Sequence, residues 1–494
     1  MPRSYADAVD KLNGLQTNFA VLDAVRKSGG NANKNALPEM IDFIRRSGYN
    51  PQDFDDLNMI HVTGTKGKGS TCALSESILR NYEGKKKIKT GLYTSPHLME
   101  VRERIRINGA PISQDLFAKY FFEIWDRLDD SGDKSKPGYF RFLTVLAFHV
   151  FKQEKVDVAI LEVGVGGAYD STNIIHKPIV CGVAALGIDH VAVLGSTLGE
   201  IAWNKGGIFK HGVPAFTSEQ PEEGITVLQS RAKELGASLE AVPAFTNQEL
   251  GDVSIGLAGK HQVANAGLAT ALCRTWIEKV LGEKIGGSVG AVPNEFKKGL
   301  SDASWPGRGQ ILVRKDKPSI TWFFDGAHTA ESIRVCADWF KDACQTNNQG
   351  SVKRVLVFNC TGPRDGDTLL APLAKTQAQV HFDQAIFTPA VTFASNTYKG
   401  DLVNNNAPLD LELKTQTTLA KCWVKQVGLA TADGSKEHDQ AKATVLPSIE
   451  HSVNWIDDFV KSEAEKGVEH IQVLVTGSLH LVGGVQSVLG CDVV

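Results

Sequence analysis

Residues 58–71, Asn-Met-Ile-His-Val-Thr-Gly-Thr-Lys-Gly-Lys-Gly-Ser-Thr, constrain this chain more than any other stretch. The apolar run Met59, Ile60 and Val62 predicts a buried strand, and a loop with three glycines and two lysines follows it. Leu74 and Ile78, one turn apart, with Leu79 beside them, then predict a helix. Strand, glycine loop and helix N-terminus together make a phosphate cradle. Backbone N–H groups converge on anionic oxygens, the helix dipole adds to them, and a lysine supplies charge. Ser70 or Thr71 could then reach a magnesium ion. A plain glycine turn is the simpler reading, and the lysines and hydroxyls weigh against it. The motif is not a literal Walker A. Two residues separate Gly64 from Gly67-Lys68 where that pattern has about four, and Gly69 intervenes before Ser70.

At 494 residues the chain exceeds what one core supports, so two domains are expected. Its 42% hydrophobic and 22% charged content is that of an ordinary globular enzyme. A net charge of −3 gives no argument for nucleic acid or an anionic membrane. No stretch reaches the ~18 consecutive apolar residues of a membrane span. The N-terminal segment carries Asp7 and Asp10 and no long apolar core, so neither a secretory signal nor a strong mitochondrial presequence is expected. The eight cysteines form no C-x-x-C pair, which suits reduced thiols and a cytoplasmic enzyme; a mitochondrial pool stays open through an alternative start.

Beyond the loop, strand candidates alternate with helical stretches. The runs 156–163 and 179–186 are nearly all apolar and rich in β-branched residues, as strands covered on both faces are. They lead into Glu162-Val-Gly164 and Gly187-Ile-Asp-His190, and in an open parallel sheet ligands bind at such strand ends. The expected fold is α/β, with an N-terminal P-loop-type three-layer ATPase domain over residues 1–305. The texture breaks at Ser304-Trp-Pro-Gly-Arg-Gly-Gln310, and a smaller Rossmann-like α/β domain is expected over 306–494. Its strands are predicted at 320–324, 355–358, 385–387 and 473–475. The polar region 391–447 reads as an insertion with mobile loops and one helix near Leu419–Val427.

Several residues at these strand ends carry chemistry, each with a plainer alternative. The Ser95 hydroxyl, in Thr94-Ser-Pro-His-Leu98, is a hard oxygen ligand for magnesium or a turn-stabilising side chain. Glu162 at a buried strand end needs compensation, from a metal or from an arginine. His190 is a ligand or a satisfied structural histidine. Lys205 is a solvated helix lysine or a buried amine of lowered pKa, able to take up carbon dioxide as a carbamate. Asp325 binds a ribose hydroxyl or caps a helix, and Arg308 reaches phosphate or makes a surface ion pair. Gln262 and Asn265 offer amides at a helix start.

Taken together these segments resemble the folylpolyglutamate synthases of the Mur ligase superfamily, eukaryotic type. The matching motifs are His61–Thr71, Ser95–Leu98, Val101–Gly109, Gly138–Thr144, Glu162–Asp170, Gly187–His190, Lys205–Lys210, Trp305–Arg308, Phe324–His328 and Thr476–Gly484, in order along nearly the whole chain. The resemblance implies an ATP-dependent ligase that adds L-glutamate to the γ-carboxylate of tetrahydrofolate and folylpolyglutamates through an acyl phosphate. The nearest alternative is dihydrofolate synthase, the same chemistry on dihydropteroate; another is a nucleotide-binding switch that has lost the ligase chemistry. By motif, Thr65, Lys66, Gly67, Lys68, Gly69 and Ser70 hold the ATP phosphates, with Lys68 also catalytic. Ser95, Glu162 and His190 hold magnesium, and Lys205 is the carbamylated lysine beside a second such ion. Asn265, Arg308 and Asp325 contact the nucleotide, domain closure completing the site, and His328, one helical turn past Asp325, is catalytic. Tyr139, Phe140, Arg141 and Phe142 lie where related bacterial enzymes hold the pterin; those with dihydrofolate synthase activity have Phe-Glu where Phe140-Arg141 stands. Arg102, Arg104 and Arg106 either hold the anionic glutamyl tail or form a solvated strand face. A monovalent cation such as K+ and a monomeric enzyme acting only on small molecules complete the expectation.

Overall fold

The computed structural model of the chain describes residues 3–16, 35–286, 291–346, 350–360, 365–395, 400–402, 413–431 and 442–493. Contacts divide it into two units, Met1–His97 with Val101–Ser304, and Leu98–Glu100 with Trp305–Val493. Leu98 and Met99 join the second unit because they pack in an apolar cluster with Trp322, Phe324 and Val473.

The first unit is built on eight strands: β1 (Ile60–Thr63), β2 (Thr90–Tyr93), β3 (Ile105–Ile107), β4 (Ala110–Pro111), β5 (Val158–Glu162), β6 (Val180–Val183), β7 (Pro214–Ser218) and β8 (Ser238–Val242). Their order is β4-β3-β2-β5-β1-β6-β7-β8. β2, β5, β1, β6, β7 and β8 run parallel, and β3 and β4 turn back antiparallel at one edge. Every residue of β1, β5 and β6 is buried, which explains their mostly apolar character, with His61, Thr63 and Glu162 the polar exceptions. With β1 central, the segments after β1, β2, β5 and β6 all leave from the same sheet edge, where ligands of such sheets bind.

The second unit carries β9 (Gln310–Arg314), β10 (Lys317–Asp325), β11 (Val352–Phe358), β12 (Gln384–Phe387), β13 (Ala443–Val445) and β14 (His470–Thr476) in the order β13-β12-β11-β14-β10-β9. All pairs are parallel except β9 with β10. Side chains alternate along β10. Trp322 and Phe324 enter one apolar cluster and Phe323 the other, so both faces of this sheet are covered.

Two expectations change. Within 391–447, residues 396–399, 403–412 and 432–441 lie outside the described part, and what is described is integral to the fold. The Lys414–Thr431 helix buries Leu419, Trp423 and Val427 at 4% exposure or less, and β13 extends the sheet. This helix is the one expected near Leu419–Val427, extended at both ends. Nor do Arg102, Arg104 and Arg106 form a solvated strand face: Arg102 and Arg104 lie in a short 3-10 turn, Val101–Arg104, and only Arg106 is on a strand, β3. Arg104 and Arg106 are buried: Arg104 Nε donates to His97 Nδ1 at 3.0 Å, and Arg106 to the Glu103 and Gly109 carbonyls, both at 3.2 Å.

Candidate functional site

The loop after β1 is shaped by Gly67, whose φ of +83° lies in the left-handed region and which caps the Lys68–Arg80 helix. Asn265, on the Gln262–Val280 helix, sits against it: its Oδ1 occupies the space a Cβ at Gly67 would take. Asn265 is buried and anchored by a hydrogen bond from Nδ2 to Gln262 Oε1 at 2.8 Å. The structure thus brings the predicted amide to the predicted loop.

The two halves of the loop do different work. Thr65 and Lys66 N–H groups both donate to the Ala185 carbonyl, at 2.8 and 3.1 Å, and Thr65 Oγ1 donates to the Gly187 carbonyl at 3.0 Å. This half is pinned to the segment after β6. The donors left over are the amides at the helix start, Gly67 to Ser70, which have no acceptor within the helix and could take an anion. Lys68 is half-buried, with Nζ 3.4 Å from the Thr65 carbonyl. Lys66 Nζ donates to Asp189 Oδ2 at 3.2 Å.

Lys205 is buried at 3% exposure, near the end of the Leu198–Gly206 helix, and donates to the Gly64 carbonyl at 2.7 Å. Desolvation lowers its pKa to about 7, and the Lys68 ammonium adds to the effect against Asp189 and Asp170. The buried-amine reading holds and the solvated one does not. His190 sits at φ +51° ahead of a short helix, with its N–H bonded to Asp189 Oδ1 at 2.9 Å. Its pKa is lowered, first by desolvation on its protein-facing side and then by Lys68, Lys205 and Lys66, while Asp189 opposes them. Four cationic or basic groups therefore feel one another around one loop, as an anion site requires.

Glu162 ends β5, is buried, and accepts from the Ser95 N–H at 2.9 Å. Among the described residues no group of three or more His, Cys, Asp or Glu could hold a metal. A divalent cation here would draw on Ser95, Glu162 and a neutral His190, completing its shell with phosphate oxygens, as magnesium commonly does. The donors fit: they are mostly hard oxygens, and Thr71 Oγ1 beside the loop is buried without a hydrogen-bond partner.

In the second unit Asp325 closes β10. Its carboxylate accepts from Ala327 N and Gly309 N, both at 2.9 Å, and Arg308 packs against Gly326. Thr329 and Ser332 bond each other at the start of the Ala330–Thr346 helix, so Asp325 is not its cap. His328 is not a helical turn past Asp325 but lies in the strand-to-helix loop, Nδ1 3.0 Å from the Gly326 carbonyl.

The Tyr139–Phe142 segment opens the Tyr139–Gln153 helix, and only part of it faces the site. Phe140 packs against Gly164, just past Glu162, and Tyr139 lies under the Arg104 guanidinium. Arg141 points away and pairs with Glu39. Phe142 is at 0% exposure, between Phe121 and Trp125 with ring centroids 4.8 and 5.8 Å away, so it is core and not a substrate contact. Phe142→Ala should cost about 3–5 kcal/mol of stability in urea unfolding, whereas Arg141→Ala should change it by under about 1 kcal/mol.

No protein-family model matches the chain. The folylpolyglutamate synthase of Saccharomyces cerevisiae (strain FostersO) is 46% identical over 499 aligned residues, 98% of this chain and 86% of its own. The chain belongs to the folylpolyglutamate synthase family. Two solved structures share its fold. The Mycobacterium tuberculosis folylpolyglutamate synthase complexed with ADP and AMPPCP has a TM-score of 0.70 at 23% identity, covering 96% of this chain and 99% of its own. E. coli FolC, in complex with DHPP and ADP, has a TM-score of 0.65 at 24% identity, covering 96% and 98%. Membership of the family makes the chain an enzyme of the ligase class. Among the described residues no helix is long and apolar enough to cross a membrane.

What sequence reasoning missed is the polar framework behind these residues. Asp170, Thr172 and His61 are buried and joined by hydrogen bonds; His61 and Asp170 fall inside matched motifs, and nothing in the sequence hinted at Thr172.

Proposed function

We propose that residues 64–70, with Ser95, Glu162, His190, Lys205 and Asn265, activate a folate γ-carboxylate with ATP. The enzyme joins L-glutamate to folates and folylpolyglutamates in an ATP-dependent reaction that releases ADP and phosphate. A free carboxylate is a poor acylating agent, and phosphate is a good leaving group, so an acyl phosphate separates activation from attack by the glutamate amine. The observation that carries the reading is the gathering of Lys66, Lys68, Lys205 and His190 around one glycine loop, next to the buried Glu162.

In this reading the amides from Gly67 to Ser70 and the Lys68 ammonium take up charge as the phosphoryl group transfers. Magnesium, held by Ser95, Glu162 and neutral His190, would supply charge neutralisation on the phosphate oxygens. Neutral Lys205 can attack carbon dioxide through its Nζ lone pair; loss of one proton leaves a carbamate, an anionic oxygen donor in place of a neutral amine. By motif Arg308 and Asp325 are the nucleotide residues of the second unit, the latter's carboxylate oriented by two backbone amides, with His328 in the adjoining loop. Phe140 and Tyr139 are the aromatic contacts offered to the folate. Eight free thiols suit a reducing compartment, the cytoplasm with a mitochondrial pool.

The test is incorporation of radiolabelled glutamate, with ATP, into tetrahydrofolate and into dihydropteroate, followed by chromatography of the products. Polyglutamylated tetrahydrofolate is expected. Incorporation with dihydropteroate alone would overturn the substrate assignment, and ADP formation independent of glutamate would overturn the ligase chemistry.

A further inference from the structure

His61 and Thr63 stand two apart on β1 and so project from one face of the sheet. Both meet the segment that follows Glu162. Thr63 Oγ1 donates to the Gly166 carbonyl at 2.6 Å, and His61 Nε2 lies 2.9 Å from Thr172 Oγ1. The Thr172 hydroxyl donates to Asp170 Oδ1 at 2.6 Å, so its oxygen accepts from His61 and the imidazole carries its proton on Nε2. Asp170 Oδ1 also accepts from Thr172 N at 2.9 Å, and its Oδ2 from Val165 N at 3.0 Å, with the Gly164 amide contributing as well. An unbroken chain of hydrogen bonds thus runs from the central strand to the two residues just beyond Val163.

The chain is costly to keep. His61 is at 0% exposure, its Nδ1 has no hydrogen-bond partner, and burial pushes its pKa down to about 3. A buried polar atom left unpaired destabilises the fold by about 1–3 kcal/mol, and an apolar side chain would fill the space without that cost. The imidazole is worth keeping only for what its Nε2–H holds in place.

We infer that His61 is a positioning residue for the ligase reaction: through Thr172 and Asp170 it fixes the Gly164–Val165 backbone, and with it the direction in which Glu162 leaves β5. The inference rests on the proposed role of Glu162 as a cation ligand. Phe140 packs on the same Gly164, so the fixed backbone sets the aromatic wall as well as the carboxylate.

The experiment uses the full-length protein with ADP and Mn2+ as the probe, Mn2+ affinity being read by electron paramagnetic resonance. Hydrogen exchange of the peptide spanning 162–166 is followed alongside. His61→Leu and Thr172→Val remove the donor and the hydroxyl at nearly constant volume. His61→Gln keeps an N–H near the place of Nε2, and Thr172→Ser keeps the hydroxyl. His61→Leu and Thr172→Val should each weaken Mn2+ binding about 10-fold and raise exchange at 162–166 while the rest of the first sheet is unchanged. The double variant should be no worse than either single one, because both break one chain. His61→Gln and Thr172→Ser should restore most of the loss. Should His61→Leu fail to fold, Thr172→Val carries the test, since it leaves the core volume intact. Wild-type Mn2+ affinity in the Leu and Val variants, or exchange rising evenly over the whole unit, overturns the inference. Glu162→Gln separates the two claims. If it loses Mn2+ while the other variants do not, this inference fails alone; if it binds Mn2+ as the parent does, the Glu162 assignment fails and this inference with it.

Discussion

Lys68→Ala should lower kcat by about 10²–10³-fold while the melting temperature stays within about 2 °C of the parent. Lys68 is the first residue of the Lys68–Arg80 helix, and its ammonium makes only a long contact, 3.4 Å, to the Thr65 carbonyl. Little in the fold depends on that contact, so stability should hardly change. In the proposed reading, phosphoryl transfer places negative charge next to the helix start, and a preorganised ammonium there would lower the barrier more than it tightens the ground state. The loss should therefore appear in kcat and in kcat/KM together. Steady-state ADP release against ATP concentration, with a thermal melt on the same sample, checks both parts. A raised KM with unchanged kcat would mean that Lys68 only binds nucleotide.

Lys205→Met should abolish turnover and yet remove a pH-dependent weakness of the fold. In the folded protein burial lowers the Lys205 pKa to about 7, against an ordinary value of 10.5. Between these two values the unfolded chain holds a proton that the folded chain lacks. Unfolding then takes up a proton, so stability rises with pH across this window, by at most about 1.4 kcal/mol per pH unit from this group. Below about pH 7 both states are protonated and the burial cost is fully present; above about 10.5 neither is, and the cost is gone. Methionine never charges, so the variant should lose this slope. It also leaves the Gly64 carbonyl without its 2.7 Å donor, which makes the slope a cleaner measure than the absolute gain. Urea midpoints from pH 7 to 10, in buffer free of nucleotide and magnesium, should climb in the parent and stay flatter in the variant. Equal slopes would mean that Lys205 titrates normally and is not the neutral amine that carbamylation requires. Greater stability bought at the expense of activity is the usual sign of a residue kept for chemistry.

Much of this arrangement was legible in the sequence, because its signals are local. The glycine loop between strand and helix is readable whatever packs around it, and Gly67 takes its left-handed position there. The apolar runs ending at Glu162 and near Gly187 read as buried parallel strands because both of their faces are covered. Contacts divide the chain between Ser304 and Trp305, and they also assign Leu98–Glu100 to the second unit, which no local signal indicated. Asp325 at a strand end could be picked out by position, although its two partner amides could not.

Other assignments depended on neighbours far away in the chain. Phe140 and Phe142 are two apart on one helix, yet one meets Gly164 and the other is enclosed by Phe121 and Trp125; helix period alone does not say which face the core takes. Arg104 and Arg106 looked like solvated charges because alternation resembles a strand face, yet Arg104, in a 3-10 turn, and Arg106, in β3, are both buried. The sequence by itself determined the glycine loop and the strand ends, since glycine placement and apolar periodicity are written residue by residue, and its motifs carried the resemblance to the family. The tertiary structure alone decided which polar groups meet inside. Asn265 reaches Gly67 only after a distant helix docks, and the pairing of His61 with Thr172 exists only once the segment beyond β5 folds back beneath β1.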